Sequence, residues 1–135
     1  MESVSINWMA VIVAALSTFV VGGLWFSPLM FVKTWMAESG MTEEKSKQAN
    51  MVKVFGGSFL LSLIAAINLA MYFGNSVVTA GDGALYGFLT GFGFVSMAMG
   101  VIYLFEQRSL KLFLINAGYQ IVTFTIMGAI IGVWH

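Results

Sequence analysis

The side chains in this sequence that could recognise a small molecule are uncharged polar groups inside otherwise apolar segments. Four of them fall at a similar predicted depth, roughly 12–15 Å from one end of their segments at a rise of 1.5 Å per residue: Ser17, Ser62, Ser96 and Gln120. Asn116 lies one helical turn before Gln120 and shares its face. Such a layer can line a ligand pocket or a permeation path, or it can supply interhelical hydrogen bonds of about 0.6 kcal/mol each. Both interpretations remain open.

Charged and metal-binding side chains are absent from the cores of these segments. Residues 6–26, 54–73, 84–105 and 112–134 contain no Asp, Glu, Lys, Arg or His, and the chain has no Cys. This pattern excludes disulfides, iron–sulfur clusters and thiolate zinc sites, and it argues against ion-coupled transport through an embedded charge. The one histidine, His135, is typical of a solvated chain end. We expect no metal and no cofactor.

Membrane-spanning helices must position the polar side chains. The chain has 135 residues, of which 59% are hydrophobic and 9% charged, whereas a soluble domain carries about 25% charged residues. Each apolar run has the length of about 20 residues that crosses a bilayer, which predicts spans at about 6–27, 51–74, 83–105 and 110–134. We expect a single all-α, membrane-embedded domain, 1–135, built as a four-transmembrane-helix bundle in a lipid bilayer. The formal net charge of zero offers no attraction to nucleic acid.

The basic residues indicate how the bundle is oriented. All six lie in, or at the borders of, the connections between spans one and two and between spans three and four: Lys33, Lys45, Lys47, Lys53, Arg108 and Lys111. Basic residues near span ends stay in the cytoplasm. Both termini and the connection between spans two and three are therefore predicted to be extracytoplasmic.

The first cytoplasmic connection contains signals for two short helices. Ser27 followed by Pro28 predicts a helix start, and we expect an interfacial helix at about 28–39. Thr42 predicts a second start, of a helix that continues through Lys53 into span two.

Polar residues at the ends of spans three and four predict caps and an ion pair. Asp82 is expected to cap span three, and Ser109 is expected to cap span four. Glu106 is expected to form a membrane-surface ion pair beside Arg108 and Lys111.

Small residues recur at every fourth position in span three, at Gly83, Gly87 and Gly91. Such spacing allows two helix backbones to approach closely in lipid. The sequence leaves two interpretations open, which are packing within one chain and a seam between copies in a homo-oligomer.

Several motifs resemble the DUF1761 family along the whole chain. They are Asn7-Trp8, Trp25-Phe26-Ser27-Pro28-Leu29, Phe31, Lys33, Trp35, the stretch from Leu104 to Tyr119, and Met127-Gly128-Ala129-Ile130. The resemblance implies a small four-helix protein of a bacterial inner membrane, with no established activity to transfer. It also implies a motif at the cytoplasmic interface, formed by Trp25, Ser27, Pro28, Trp35, Glu106, Arg108 and Lys111. Phe26 departs from the family pattern, in which tyrosine is expected.

Two classes of function follow from these observations. The first is a non-enzymatic membrane component that self-associates or docks on a larger membrane assembly, through the glycines of span three and the segment around Trp35. The second is a small oligomeric channel, transporter or ligand-binding protein that uses the polar residues named first. A cytoplasmic-face membrane enzyme using acidic residues such as Glu106 is a remote third.

Overall fold

The computed structural model describes residues 5–77 and 79–134 and is all-helical over those ranges. Its helices are α1 (Trp8–Trp25), α2 (Val32–Ser39), α3 (Glu43–Lys47), α4 (Met51–Phe73), α5 (Ala80–Phe105) and α6 (Leu110–Val133). Helices α1, α4, α5 and α6 are long and apolar enough to cross a membrane. The predicted all-α architecture with four membrane-length helices is confirmed. His135 lies outside the described residues.

Side-chain caps set where all four long helices begin. Asn7 caps α1 by accepting a hydrogen bond from the Ala10 amide, and its Nδ2 donates to the Trp134 carbonyl at 3.2 Å, which ties the start of α1 to the end of α6. Ser109 caps α6 as predicted. Helix α5 begins at Ala80 rather than near residue 83, because its cap is the side chain of Thr79.

The predicted cap at Asp82 is therefore wrong. The Asp82 amide donates to Thr79 Oγ1 at 3.1 Å, so Asp82 lies within the first turn of α5. Its carboxylate still lies at the positive end of the helix dipole.

The first connection differs from the prediction in two places. Ser27 does not start the interfacial helix, because its hydroxyl donates back to the Leu24 carbonyl at 2.7 Å and the following residues form turns. Helix α2 begins at Val32 and ends before Gly40, whose φ of 78° is left-handed. The expected continuous helix from Thr42 through Lys53 is also wrong, since α3 ends at Lys47 and Asn50 caps a separate α4.

Helix α6 is the centre of the bundle. It packs along α5 and against α1, while α4 packs mainly against α1 and leaves an open cleft toward α5 and α6. The buried core lies toward the end that carries both chain termini, and it includes Val11, Ala66, Phe73, Met127 and Ile131.

The closest helix contact joins α5 to α6 through glycines. A methyl group at Gly83 would overlap the carbonyl of Gly128, and one at Gly87 would overlap the carbonyl of Phe124. At Gly91 the added atom would lie 3.0 Å from the Cα of Ile121. The interpretation of these glycines as a seam between copies is corrected, because α6 of the same chain already occupies that face.

Candidate functional site

The five polar residues of the predicted layer do not form one site. Ser17 donates to the Ala14 carbonyl at 2.6 Å, and Ser96 donates to the Gly91 carbonyl at 2.7 Å. Both hydroxyls are therefore satisfied by their own helix, as is common for Ser in apolar helices.

Ser96 has a structural role in a distorted turn. Residues Gly91–Ser96 form a π-helical stretch inside α5, and the fully buried Ser96 hydroxyl bonds across it. Asn116 is also occupied, since its Nδ2 donates to the Tyr103 hydroxyl at 2.8 Å and so joins α5 to α6.

Ser62 and Gln120 line the same cavity, in the cleft between α4 and the rest of the bundle. We call the whole space the α4 cleft; its central cavity is lined by Thr18, Ser62, Tyr119, Gln120, Thr123 and Phe124, and two further cavities adjoin it. Its central cavity has a volume of about 270 Å³. A cavity of about 340 Å³ adjoins it on the side of the first connection, and one of about 490 Å³ adjoins it on the opposite side.

One wall of the cleft is a hydrogen-bonded junction of α1 with α6. The Tyr119 hydroxyl donates to the Thr18 carbonyl at 3.1 Å, and the Thr18 hydroxyl donates to the Ala15 carbonyl at 2.7 Å. The hydroxyl oxygens of Thr18 and Ser62 are 3.3 Å apart, which adds a polar contact between α1 and α4. These bonds hold α1 against α6 and α4, and so they set the positions of the polar side chains that line the cleft.

Two polar groups in the cleft lack partners. Thr123 is 3% exposed, and its Oγ1 makes no hydrogen bond of good geometry within the described residues, although the Tyr119 hydroxyl is nearby. The half-buried Gln120 amide likewise has no side-chain partner in that part of the chain. An unpaired buried hydroxyl costs about 1–3 kcal/mol. The Thr123 hydroxyl is enclosed by its neighbours, so the Gln120 amide is the unpaired group that faces the central cavity.

The cavity on the side away from the first connection is different. Asn68 Nδ2 donates to the Ile64 carbonyl at 2.9 Å, and Thr90 Oγ1 donates to the Tyr86 carbonyl at 2.8 Å. Both side chains thus donate to their own helix, and the remaining walls, such as Leu69, are apolar except for the exposed Tyr72. This part of the cleft suits a hydrocarbon chain.

Sequence reasoning missed Thr18 and Thr123 as cleft residues. A signal for Thr123 was present, because Asn116, Gln120 and Thr123 follow the i, i+4, i+7 spacing of one helix face. No comparable signal marked Thr18, whose role depends on which helices α1 meets.

The aromatic residues of the motif that was predicted at the cytoplasmic interface pack the first connection against α6. Trp25 Nε1 donates to the Ile115 carbonyl at 2.9 Å, and the Trp25 ring lies against Gly118. The Phe26 ring lies 5.6 Å from the Trp35 ring and 5.3 Å from the Tyr119 ring, measured between centroids. Phe26 therefore fills, without a hydroxyl, the place where tyrosine was expected.

The charged residues of the motif lie at the turn between α5 and α6. Arg108 Nε donates to Glu106 Oε1 at 2.8 Å, with both side chains about half exposed. The hydrogen bond to Glu106, and then its charge, raises the pKa of Arg108. Lys111 is exposed and forms no ion pair within residues 5–77 and 79–134. The predicted ion pair thus joins Glu106 to Arg108.

Metal binding has no structural support in the described ranges. Those residues contain no group of three His, Cys, Asp or Glu side chains that could hold a metal ion.

Comparison with known proteins identifies a family. No curated protein and no solved structure matches the chain. The model of the family described as "Protein of unknown function (DUF1761)" matches residues 9–132, nearly the whole chain. The protein therefore belongs to the DUF1761 family.

Proposed function

We propose that this protein is a non-enzymatic membrane protein that binds an uncharged amphipathic molecule in the α4 cleft. The observation that carries the proposal is the half-buried Gln120 amide, whose donor and acceptor groups line the central cavity without a hydrogen-bond partner among the described residues. In hydrocarbon no water competes for these groups, so a molecule that supplies a hydroxyl or carbonyl gains hydrogen bonds the empty cleft lacks.

The chemistry of the cleft walls supports an uncharged occupant. The side chains that line the three adjoining cavities carry hydroxyl, amide or apolar groups and no formal charge. A charged group placed there would lose its hydration without gaining a counter-ion, which costs several kcal/mol at the bilayer centre.

The shape of the cleft supports an elongated occupant. Of the three cavities, the one nearest the start of α1 has mostly apolar walls, whereas the unpaired Gln120 amide lies in the central cavity. We infer that the hydrogen-bonding group of the ligand lies beside Gln120 and that its hydrocarbon part extends past Leu69. Pockets for small molecules are commonly about 300–1,000 Å³ with few polar groups, and the cleft fits that description.

We further propose that the protein lies in a bacterial inner membrane with both termini outside. The support is the placement of the basic residues, since four surround the connection between α1 and α4 and two flank the α5–α6 turn.

Native mass spectrometry tests the proposed function. The full chain, released from its membrane in mild detergent, is expected to retain a small uncharged molecule at one copy per chain. Gln120→Leu is expected to lower the retained fraction about tenfold, because losing a hydrogen bond at a desolvated site costs roughly 1–1.5 kcal/mol.

Thr125→Val is the matched control. Thr125 lies two residues after Thr123 on α6, but its hydroxyl donates to the Ile121 carbonyl at 2.7 Å and does not line the central cavity. Equal retention by wild type, Gln120→Leu and Thr125→Val would contradict the proposal.

A second candidate function is docking of a helix, from another copy or from a partner membrane protein, into the same cleft. The observation in its favour is the length of the cleft along α4, from Val54 to Tyr72. That stretch spans about 27 Å at 1.5 Å per residue, close to the thickness of a bilayer core. In the same mass spectra this function predicts a dimer or a complex with a second chain, lost on Ala65→Trp, in place of a bound small molecule.

A further inference from the structure

A second cavity lies on the lipid-facing surface at the α5–α6 turn, apart from the α4 cleft. It has a volume of about 410 Å³ and is lined by Gly100, Tyr103, Leu104, Arg108, Leu110 and Phe113, together with the capping Ser109. We call it the turn cavity. We propose that the turn cavity binds an anionic diacyl phospholipid, with its phosphate on Arg108 and one acyl chain between α5 and α6.

The guanidinium of Arg108 supplies the phosphate contact. Its Nε is used by Glu106, whereas its two Nη groups have no partner among the described residues. Those groups retain their N–H donors, and guanidinium recognises phosphate through paired N–H contacts. A phosphate can therefore bind without displacing Glu106.

The backbone holds Arg108 in place at the rim of the cavity. The Arg108 amide donates to the Tyr103 carbonyl at 2.9 Å, and the Gln107 amide donates to the Leu104 carbonyl at 3.2 Å. Gln107 has a left-handed φ of 57°, and these two bonds form the Schellman motif that ends many helices. The backbone of Arg108 is thus fixed at the end of α5, and the hydrogen bond from its Nε to Glu106 orients the side chain.

The walls below Arg108 suit a hydrocarbon chain. Gly100 has no side chain, and the Phe113 ring lies 3.4 Å from the position of a Cβ there; this ring, Leu104 and Leu110 bound a groove beside the glycine. The Tyr103 hydroxyl at its edge accepts from Asn116 at 2.8 Å. The groove therefore has polar chemistry at the Arg108 end and an apolar wall deeper in the membrane.

Charge complementarity selects an anionic lipid as the occupant. Lys111 adds a second exposed positive charge in the first turn of α6, next to the cavity. Phospholipid phosphates lie at the depth where spans end, so the headgroup and the acyl chain meet both ends of the groove at once. This proposal is independent of what occupies the α4 cleft.

Lipid titration by native mass spectrometry tests the turn cavity. The probes are dioleoylphosphatidylglycerol and dioleoylphosphatidylcholine, added to the full chain in mild detergent. We expect one high-affinity phosphatidylglycerol molecule per chain. Arg108→Lys and Gly100→Leu are each expected to weaken that binding about fivefold, since one removes the guanidinium fork and the other fills the acyl groove.

Both substitutions leave the net charge unchanged, so general attraction between a basic loop and an anionic lipid does not produce the expected loss. Lys53→Arg is the matched control for charge, and Gly93→Leu is the control for the groove, because nothing lies within 4 Å of a Cβ at Gly93. These two variants are expected to bind phosphatidylglycerol as the wild type does.

Glu106→Gln is expected to change phosphatidylglycerol binding in the opposite direction, and the substitution does not alter packing in the groove. Its exposed carboxylate lies beside the proposed phosphate position, so removing the charge is expected to tighten phosphatidylglycerol binding about threefold. Unchanged binding in Arg108→Lys and Gly100→Leu, or weaker binding in Glu106→Gln, would overturn the proposal. Displacement of the lipid by excess inorganic phosphate would show that the site binds phosphate alone, and it would overturn the proposal that the occupant is a diacyl phospholipid.

Discussion

Thr123 differs from the other buried hydroxyl residues of the membrane-length helices because its Oγ1 has no hydrogen-bond partner among the described residues. Ser17, Thr18, Thr90 and Thr125 each donate to a carbonyl of their own helix, whereas the buried Thr123 Oγ1 does not. An unpaired buried hydroxyl destabilises the folded protein.

Thr123→Val is expected to stabilise the ligand-free protein by about 1 kcal/mol, because a methyl group of similar shape replaces the unpaired hydroxyl. Unfolding in mild detergent, followed by circular dichroism, measures this effect. Thr125→Val should change the free energy of unfolding by no more than about 0.5 kcal/mol. A loss of stability in Thr123→Val that exceeds that of the control would show that the hydroxyl has a structural partner.

At the scale of elements, α5 and α6 form one tightly packed pair while α4 stands partly away from them. Glycine spacing in α5 predicted a close helix contact, and the structure supplies the partner surface at Gly128 and Gly132. Choice of partner could not be read from the sequence, because the same spacing serves contacts within a chain and between chains. The open α4 cleft could not be predicted from the sequence either, because it results from how three helices are placed relative to one another.

Local sequence signals also had limits set by competing hydrogen bonds. Ser109 was correctly predicted as a cap. Ser27 is not a cap, because its hydroxyl donates back to the Leu24 carbonyl, and Asp82 is not a cap, because the Thr79 side chain caps α5 instead. Each has the residue type of a cap, and only the backbone geometry decides which one acts. The four membrane-length helices were predicted well, because their length and apolar composition do not depend on which helix packs against them.

Gly87→Ala is expected to destabilise the protein by about 1–3 kcal/mol, since its methyl group meets the backbone of α6 rather than a movable side chain. Gly93→Ala is the control in the same helix, with open space around its Cβ, and should change stability by no more than about 1 kcal/mol. Unfolding in detergent at two protein concentrations measures both. Equal effects of the two variants, or a loss at Gly87 that higher concentration reverses, would contradict packing within one chain.

At the scale of the whole molecule, the bundle places the basic connections at one end and the termini at the other. Because the chain contains no cysteine, single introduced thiols report sidedness without background. Ser76 lies exposed between α4 and α5, and Ser46 lies exposed in α3.

With both termini outside, Ser76→Cys is expected to react with a membrane-impermeant maleimide added to intact cells, whereas Ser46→Cys reacts only after the membrane is opened. The basis of this expectation is the retention of basic connections in the cytoplasm. Labelling in the reverse order would mean that the whole bundle is inverted.

The measurement that tests the central claim most directly is protection of the α4 cleft in native membranes. Ser62→Cys places a thiol in the central cavity, and Leu60→Cys places one on an exposed part of α4 that lines none of the three adjoining cavities. With a ligand bound beside Gln120, a lipid-soluble maleimide is expected to alkylate Ser62→Cys slowly. Adding Gln120→Leu should speed that reaction and leave Leu60→Cys unchanged. Equal alkylation of Ser62→Cys with and without Gln120→Leu would contradict ligand binding in the cleft.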